Sequence, residues 1–180
     1  YEAHLLAPTR ALGEQVYEAL HAAFPKEPFL LKLSRIYRDA RRLHGNGPYK
    51  DHLWFCVRAG GEDWTGRPTF YFEIGPDYYS YGMGFWAPKA ALMEAYRKAV
   101  DEHPEVLEKL VKRFNKQAQF TLSGPEYARK KTAPSPLLAA WYNKKSINLQ
   151  HDAAPDERMF SQELAQDIIE GFRTLMPLYK

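Results

Sequence analysis

Residues able to bind an anion are concentrated in one short stretch of the sequence, positions 34–50. The candidate ligand-binding residues there are Arg35, Arg38, Asp39, Arg41, Tyr49 and Lys50. An arginine guanidinium presents a planar fork of donors that suits carboxylate or phosphate, and a nearby aspartate can fix its orientation. Glycines at 45 and 47 allow backbone amides to approach a ligand. This chemistry predicts a surface that binds a small anionic or phosphorylated molecule.

The same residues support three other interpretations. Arginine and aspartate can pair with each other and tether the loop to the sheet, which is a purely structural role. The protein could be an enzyme that acts on the anion, with Asp39 or His44 as acid or base and arginines stabilising negative charge. It could also be a basic interaction or nucleic-acid-binding protein. We favour ligand binding because the stretch offers many donors without an evident nucleophile, and we leave enzymatic activity open.

The formal charge of +3 is the remainder of unequal blocks. Residues 32–58 carry +5 and residues 109–151 carry +8, while acidic segments separate and follow them. The two basic blocks could meet on one surface and attract an anion, or each could pair with acidic neighbours in the fold. The blocks are too mixed for a nucleic-acid-binding tail, so a nucleic-acid partner is not favoured.

Other reactive groups indicate no metal or cofactor site. The six histidines form no pair at metal-ligand spacing, and a single cysteine excludes an internal disulfide or a cysteine-based zinc cluster. Cys56 lies in an aromatic, branched run and is predicted to be a core residue. The sequence contains neither a phosphate-binding loop motif nor a nucleophile elbow. We therefore expect no metal and no cofactor.

Aromatic residues at 78–86 form a second feature of interest. Tyr78, Tyr79, Tyr81, Phe85 and Trp86 are predicted mainly to pack within a sheet. Tyrosine and tryptophan rings beside a basic strand can also stack on a ligand ring. Trp86 is therefore included among the candidate ligand-binding residues.

Changes in hydrophobic period predict the elements that position these residues. Helical spacing covers 9–24 and 156–176, with further helices after Pro88 and Pro104. Strand patterns begin at Phe29 and recur at 53–59, 68–74 and 78–85, separated by glycine-containing turns, and a late strand is expected at 145–150. An antiparallel meander flanked by N-terminal and C-terminal helices is an α+β fold. We expect one domain over residues 1–180.

The pattern across 35–41 and 48–50, Arg-Ile-Tyr-Arg-Asp-Ala-Arg followed by Pro-Tyr-Lys, resembles the signature of domain of unknown function family 2461. The similarity continues through Tyr71 and the glycine-bearing segment 82–88, so it covers nearly the whole chain. It implies a shared fold and a shared surface, without an established reaction. At Arg42, Leu43, His44, Gly45 and Asn46 the sequence departs from the Phe-Ser-Lys-Asp-Lys usual in the family. If the family acts through that loop, this member is altered there.

The sequence also suggests where the protein works. It contains no 18-residue apolar run and no charged-then-apolar signal segment at its start. We therefore expect a soluble, cytoplasmic protein without a membrane partner. The pattern makes no prediction of oligomeric state.

Overall fold

In a computed structural model that describes residues 1–38, 47–61 and 64–180, six strands form one antiparallel sheet. The strands are β1 (Phe29–Leu33), β2 (Leu53–Ala59), β3 (Thr69–Ile74), β4 (Tyr79–Gly84), β5 (Thr121–Ser123) and β6 (Asn148–Ala153). Their order is β1-β2-β3-β4-β6-β5, so the first four make a meander in chain order. The predicted α+β class is confirmed.

Helices precede, interrupt and follow the strands. Within the described residues they are α1 (Ala7–Ala23), α2 (Ala90–Glu102), α3 (Pro104–Phe114), α4 (Ala139–Tyr142) and α5 (Gln162–Tyr179). The first helix continues from a short π-helical turn at Glu2–Leu6. None of the helices in the described ranges combines the length and apolar character needed to span a membrane.

One face of the sheet packs against α1 and α5. Phe55 and Val57 alternate along β2 onto this face and are fully buried. Gly13 of α1 lies so close to Phe55 that a Cβ atom there would be 3.1 Å from the ring. On the α5 side, the rings of Phe70 and Phe172 are 4.9 Å apart. The main core therefore lies between this face and the two helices.

The opposite face of the sheet is polar and aromatic. Trp54 and Arg58 on β2 are half-buried there, with Cys56 buried between them. The predicted core position of Cys56 is confirmed, although it lies on this face rather than beneath the helices. At the middle of the face, a Cβ at Gly82 would overlap the carbonyl oxygen of Leu149, so β4 and β6 approach closely only with glycine at this position.

Several element boundaries differ from the sequence-based expectations. The late strand covers Asn148–Ala153 rather than 145–150, and it pairs with the short β5, a strand that the hydrophobic pattern did not predict. The closing helix begins at Gln162 rather than near 156, because Ser161 caps it by accepting from the Glu163 amide at 3.2 Å. Residues Glu157–Phe160 instead form a separate 3-10 turn, capped by Asp156.

Candidate functional site

The segments on either side of the 39–46 loop pair with each other. The Arg38 amide donates to the Pro48 carbonyl at 2.8 Å, and the Lys50 amide donates to the Ile36 carbonyl at 2.8 Å. Between these bonds Tyr37 and Tyr49 form a bridge. The two halves of the predicted binding stretch are therefore held side by side by the backbone.

The register of this pairing differs from that of the main sheet. The Ser34 amide donates to Trp54, and the next pairing joins Ile36 to Lys50. Two residues along one segment therefore correspond to four along the other. Extra residues on one strand interrupt a ladder and bend it, as in a β-bulge. The regular strand β1 accordingly ends at Leu33 instead of running on through the arginines.

The Arg38 side chain is fixed by its neighbours. Its Nε donates to the Tyr49 carbonyl at 2.6 Å, and an Nη atom lies 3.7 Å from the Asp51 carboxylate. Asp51 also lies 2.9 Å from the His52 imidazole. The His52 hydrogen bond is the main reason that the pKa of the Asp51 carboxyl is lowered, with Arg38 contributing less. The guanidinium is thus oriented while it remains 30% exposed.

Lys50 lies beside this guanidinium on the polar side of the sheet. Its Nζ is 5.8 Å from the centroid of the Trp54 ring. Partial burial lowers the pKa of the Lys50 ammonium, the positive charge of Arg38 lowers it further, and Glu73 acts in the opposite direction. In the described part of the chain Lys50 belongs to no ion pair. Two cations are therefore held close together with incomplete compensation.

Residues on the next strands complete the surroundings of this cation pair. Glu73 is the register partner of Trp54 and accepts a hydrogen bond from the Tyr78 hydroxyl. That bond raises the pKa of Tyr78 to about 12. We call this set, which consists of Arg38, Lys50, Trp54, Glu73 and Tyr78, the basic corner. It combines two cations, a hydrogen-bonded carboxylate and aromatic surface.

The structure brings only some of the predicted residues together. Arg38 and Lys50 meet in the basic corner, and Tyr49 contributes its carbonyl there. The Tyr49 ring instead lies 5.5 Å from that of Tyr37, and both rings are exposed. Because side chains alternate across paired strands, these rings lie on the opposite side of the hairpin from Arg38 and Lys50. Arg35 is exposed and forms no hydrogen bond or ion pair with a described residue.

Trp86 lies far from the basic corner. Trp86 follows the end of β4 at Gly84, which pairs with Thr69 at the start of β3. The basic corner lies at the opposite end of β3 and β4, near Ile74. Six paired positions separate the two ends by ~17 Å. Trp86 is 66% exposed and precedes Ala87, whose φ of 50° lies in the left-handed region. A cavity of about 370 Å³, lined by Thr65, Gly66, Arg67, Lys89 and Leu92, lies just beyond this segment.

Some predicted residues fall outside the described part of the chain. They are Asp39, Arg41 and His44, and the whole divergent stretch 42–46 falls there too. The proposals that Asp39 or His44 acts as an acid or base therefore stay sequence-based predictions.

Sequence reasoning missed two members of the corner, Trp54 and Glu73. Tyr78 was named only within the aromatic cluster at 78–86 and was not among the candidate ligand-binding residues. Trp54 belongs to a predicted strand, and its position next to the buried Phe55 was a signal that it faces away from the core. Nothing local links it to Glu73, because their adjacency depends on the register of β2 against β3.

Comparison with known sequences gives a family without a described activity. The comparison with curated proteins finds no match. The family described as "Conserved hypothetical protein (DUF2461)" matches residues 1–180, which is the full length of the sequence. The match is consistent with the resemblance noted in the sequence and adds no reaction to it. The chain belongs to this DUF2461 family.

Proposed function

We propose that the protein binds a small anionic or phosphorylated ligand at the basic corner. The observation that supports this proposal best is the proximity of Arg38 and Lys50 on paired segments, with no described ion-pair partner for Lys50. Two adjacent cations repel each other, and partial removal from water increases that repulsion. An anion between them relieves both effects.

The donors of the corner suit an oxyanion. The Arg38 guanidinium is held by the Tyr49 carbonyl through Nε, which leaves its Nη donors for a ligand or for the more distant Asp51. The Lys50 ammonium supplies a second, less directional positive charge. Carboxylate and phosphate accept such charge-assisted bonds with two or three oxygens.

The aromatic surface favours a ligand that also carries a ring. Trp54 is half-buried beneath the Lys50 ammonium, and Tyr78 is partly exposed at the edge of the corner. An aromatic face adds binding energy through stacking with a planar group. Glu73 accepts the hydrogen bond from Tyr78 and partly offsets the positive charge of Lys50. We therefore expect a ring-bearing phosphate to bind more tightly than inorganic phosphate.

Thermal unfolding with defined probes tests this proposal. The probes are inorganic phosphate, phenyl phosphate and the neutral benzyl alcohol. A ligand at a hundred times its dissociation constant adds about 2.7 kcal/mol to the free energy of unfolding. We expect phenyl phosphate to stabilise most, phosphate less and benzyl alcohol least.

Two matched lysine variants locate the binding. Lys50→Met removes the corner ammonium, while Lys89→Met removes a cation from the cavity near Trp86. We expect the first variant to lose most of the phosphate-dependent stabilisation and the second to keep it. Stabilisation that survives in Lys50→Met and disappears in Lys89→Met would contradict the proposal, as would the absence of any effect of the anions on the wild type.

A further inference from the structure

A separate cavity lies on the helix-facing side of the sheet, away from the basic corner. It has a volume of about 260 Å³, and its lining residues are Tyr79, Tyr81, Gln119, His151, Arg158, Asp167 and Glu170. We call it the α5 cavity because Asp167 belongs to that helix. A single water needs only ~10–15 Å³ on a comparable measure, so this space admits a small organic molecule.

One hydrogen bond assigns the tautomer of the neutral His151 ring. Its Nδ1 lies 2.9 Å from the backbone carbonyl oxygen of Gln119. A carbonyl only accepts hydrogen bonds, so Nδ1 carries the proton. In the neutral imidazole the other nitrogen, Nε2, then has a lone pair to offer. His151 therefore contributes an acceptor to the α5 cavity.

Gln119 makes the cavity wall rigid. Its side-chain amide donates to the Tyr81 hydroxyl at 2.9 Å and to the Asp167 backbone carbonyl at 3.1 Å. These bonds connect β4 to α5 through one side chain. The Tyr81 ring also contacts the His151 ring, with centroids 4.7 Å apart. The acceptor nitrogen is consequently held in a built site rather than on a mobile surface.

The electrostatic surroundings favour positive charge. The charged residues that line the cavity are one cation, Arg158, and two carboxylates, Asp167 and Glu170, and Arg158 forms an ion pair with Asp167 at 3.0 Å. Burial raises the pKa of the Tyr79 hydroxyl, and Asp156 adds to this effect. Burial also raises the pKa of Tyr81. Both phenols therefore stay neutral, and the excess charge around the cavity is negative.

We propose that the α5 cavity binds a small organic ammonium ion. One ammonium hydrogen is donated to His151 Nε2, and the carboxylates of Asp167 and Glu170, which line the cavity, balance the charge. The aromatic rings of Tyr79 and Tyr81 form the apolar part of the site, which suits a hydrocarbon or ring attached to the nitrogen. This site is independent of the basic corner, which selects the opposite charge.

The probe for the test is benzylamine, compared with benzyl alcohol and benzoate. Binding is followed by ¹⁵N and ¹H NMR of the whole chain, which reports the His151 tautomer as well as the dissociation constant. We expect protonated Nδ1 before addition, and benzylamine to shift the His151 signals. We expect at least tenfold weaker binding of benzyl alcohol and none of benzoate. An Nε2-protonated ring, or benzoate binding as tightly as benzylamine, would overturn the proposal.

Variants separate a binding role from a packing role. His151→Phe keeps a ring beside Tyr81 and removes the acceptor, and Asp167→Asn removes charge while α5 keeps its backbone bond to Gln119. We expect each to weaken benzylamine binding about tenfold, as expected for loss of a charge-assisted interaction. Glu163→Gln is the control, because Glu163 lies near the start of α5 and outside the cavity lining, and it should leave the affinity for benzylamine unchanged. If both single variants, Asp167→Asn and His151→Phe, bind benzylamine with the affinity of the wild type, the proposal is overturned. Lys50→Met, which alters only the basic corner, should leave benzylamine binding unchanged.

Discussion

The Tyr78 hydroxyl donates a hydrogen bond to the Glu73 carboxylate across the turn between β3 and β4. Because the carboxylate holds the phenolic proton, the pKa of Tyr78 rises to about 12 from the ordinary 10.0. Below pH 10 both the folded and the unfolded chain keep this proton, and the bond contributes fully to stability. Between pH 10 and about 12 the unfolded chain releases the proton while the folded chain keeps it, so the contribution is lost as the pH rises.

Tyr78→Phe tests this linkage. We expect the variant to be less stable than the wild type below pH 10, with the difference shrinking as the pH approaches 12. Urea unfolding at several pH values between 8 and 12 measures it. Tyr37→Phe, which removes an exposed hydroxyl without a described hydrogen bond, is the control. A difference between wild type and Tyr78→Phe that stays constant over this range would contradict the assignment.

Gly82 allows β4 and β6 to approach each other at the centre of the sheet. A Cβ at this position would overlap the Leu149 carbonyl oxygen, and backbone cannot move aside as a flexible side chain can. We expect Gly82→Ala to lower the free energy of unfolding by about 1–3 kcal/mol, as overpacking does. Gly66→Ala, where a Cβ meets no atom within 4 Å, should change it by less than about 0.5 kcal/mol. Equal stabilities of the two variants in urea unfolding would show that the strands can separate at no cost.

Cys56 should be unreactive in the folded protein. It is 6% exposed, and burial raises the pKa of its thiol, although Arg58 and Lys32 act in the opposite direction. Since the thiolate is the reactive form, native protein should react slowly with an aromatic disulfide reagent at neutral pH. The urea-unfolded chain should react within the mixing time of the same assay. As the sequence has a single cysteine, the signal is unambiguous, and rapid stoichiometric reaction of the native protein would be inconsistent with its position.

Much of the fold was predictable from local patterns. The change of hydrophobic period at Phe29 and the glycines of the turns at 60–61 and 75 indicated the meander, because these signals act within a few residues. The pairing of β6 with β5 was not predictable, since β5 has three residues and its partner lies more than twenty positions away. A three-residue strand leaves no recognisable alternation.

The candidate site was only half predictable. The sequence identified Arg38 and Lys50 by their type, and the chain brings them together through backbone pairing. It could not show that the Tyr49 ring faces the other way or that Trp86 lies at the far end of the sheet, because both facts depend on register. Its alternation with Phe55 could place Trp54 on the polar face, but no local pattern placed it beside Lys50.

Arg35 and Arg38 should differ in their effect on anion binding. Both were candidates by sequence, yet only Arg38 is oriented at the corner by the Tyr49 carbonyl. We expect Arg38→Gln to weaken phenyl phosphate binding about tenfold, the loss of one charge-assisted bond in a partly exposed site. Arg35→Gln should change it by less than about twofold. Calorimetric titration of both variants measures this, with urea unfolding to verify the fold. A loss confined to Arg35→Gln would refute the role of the corner.

The proposal that an anion lies between Arg38 and Lys50 is tested most directly at the Lys50 ammonium itself. With ¹³C-labelled lysine, NMR titration gives the pKa of Lys50 without and with phosphate, and Lys109 on α3 is an exposed comparison. We predict that the pKa of Lys50 is lowered without phosphate and rises when phosphate is added, because a bound anion stabilises the ammonium. A Lys50 pKa that responds to phosphate no more than that of Lys109 would contradict the account.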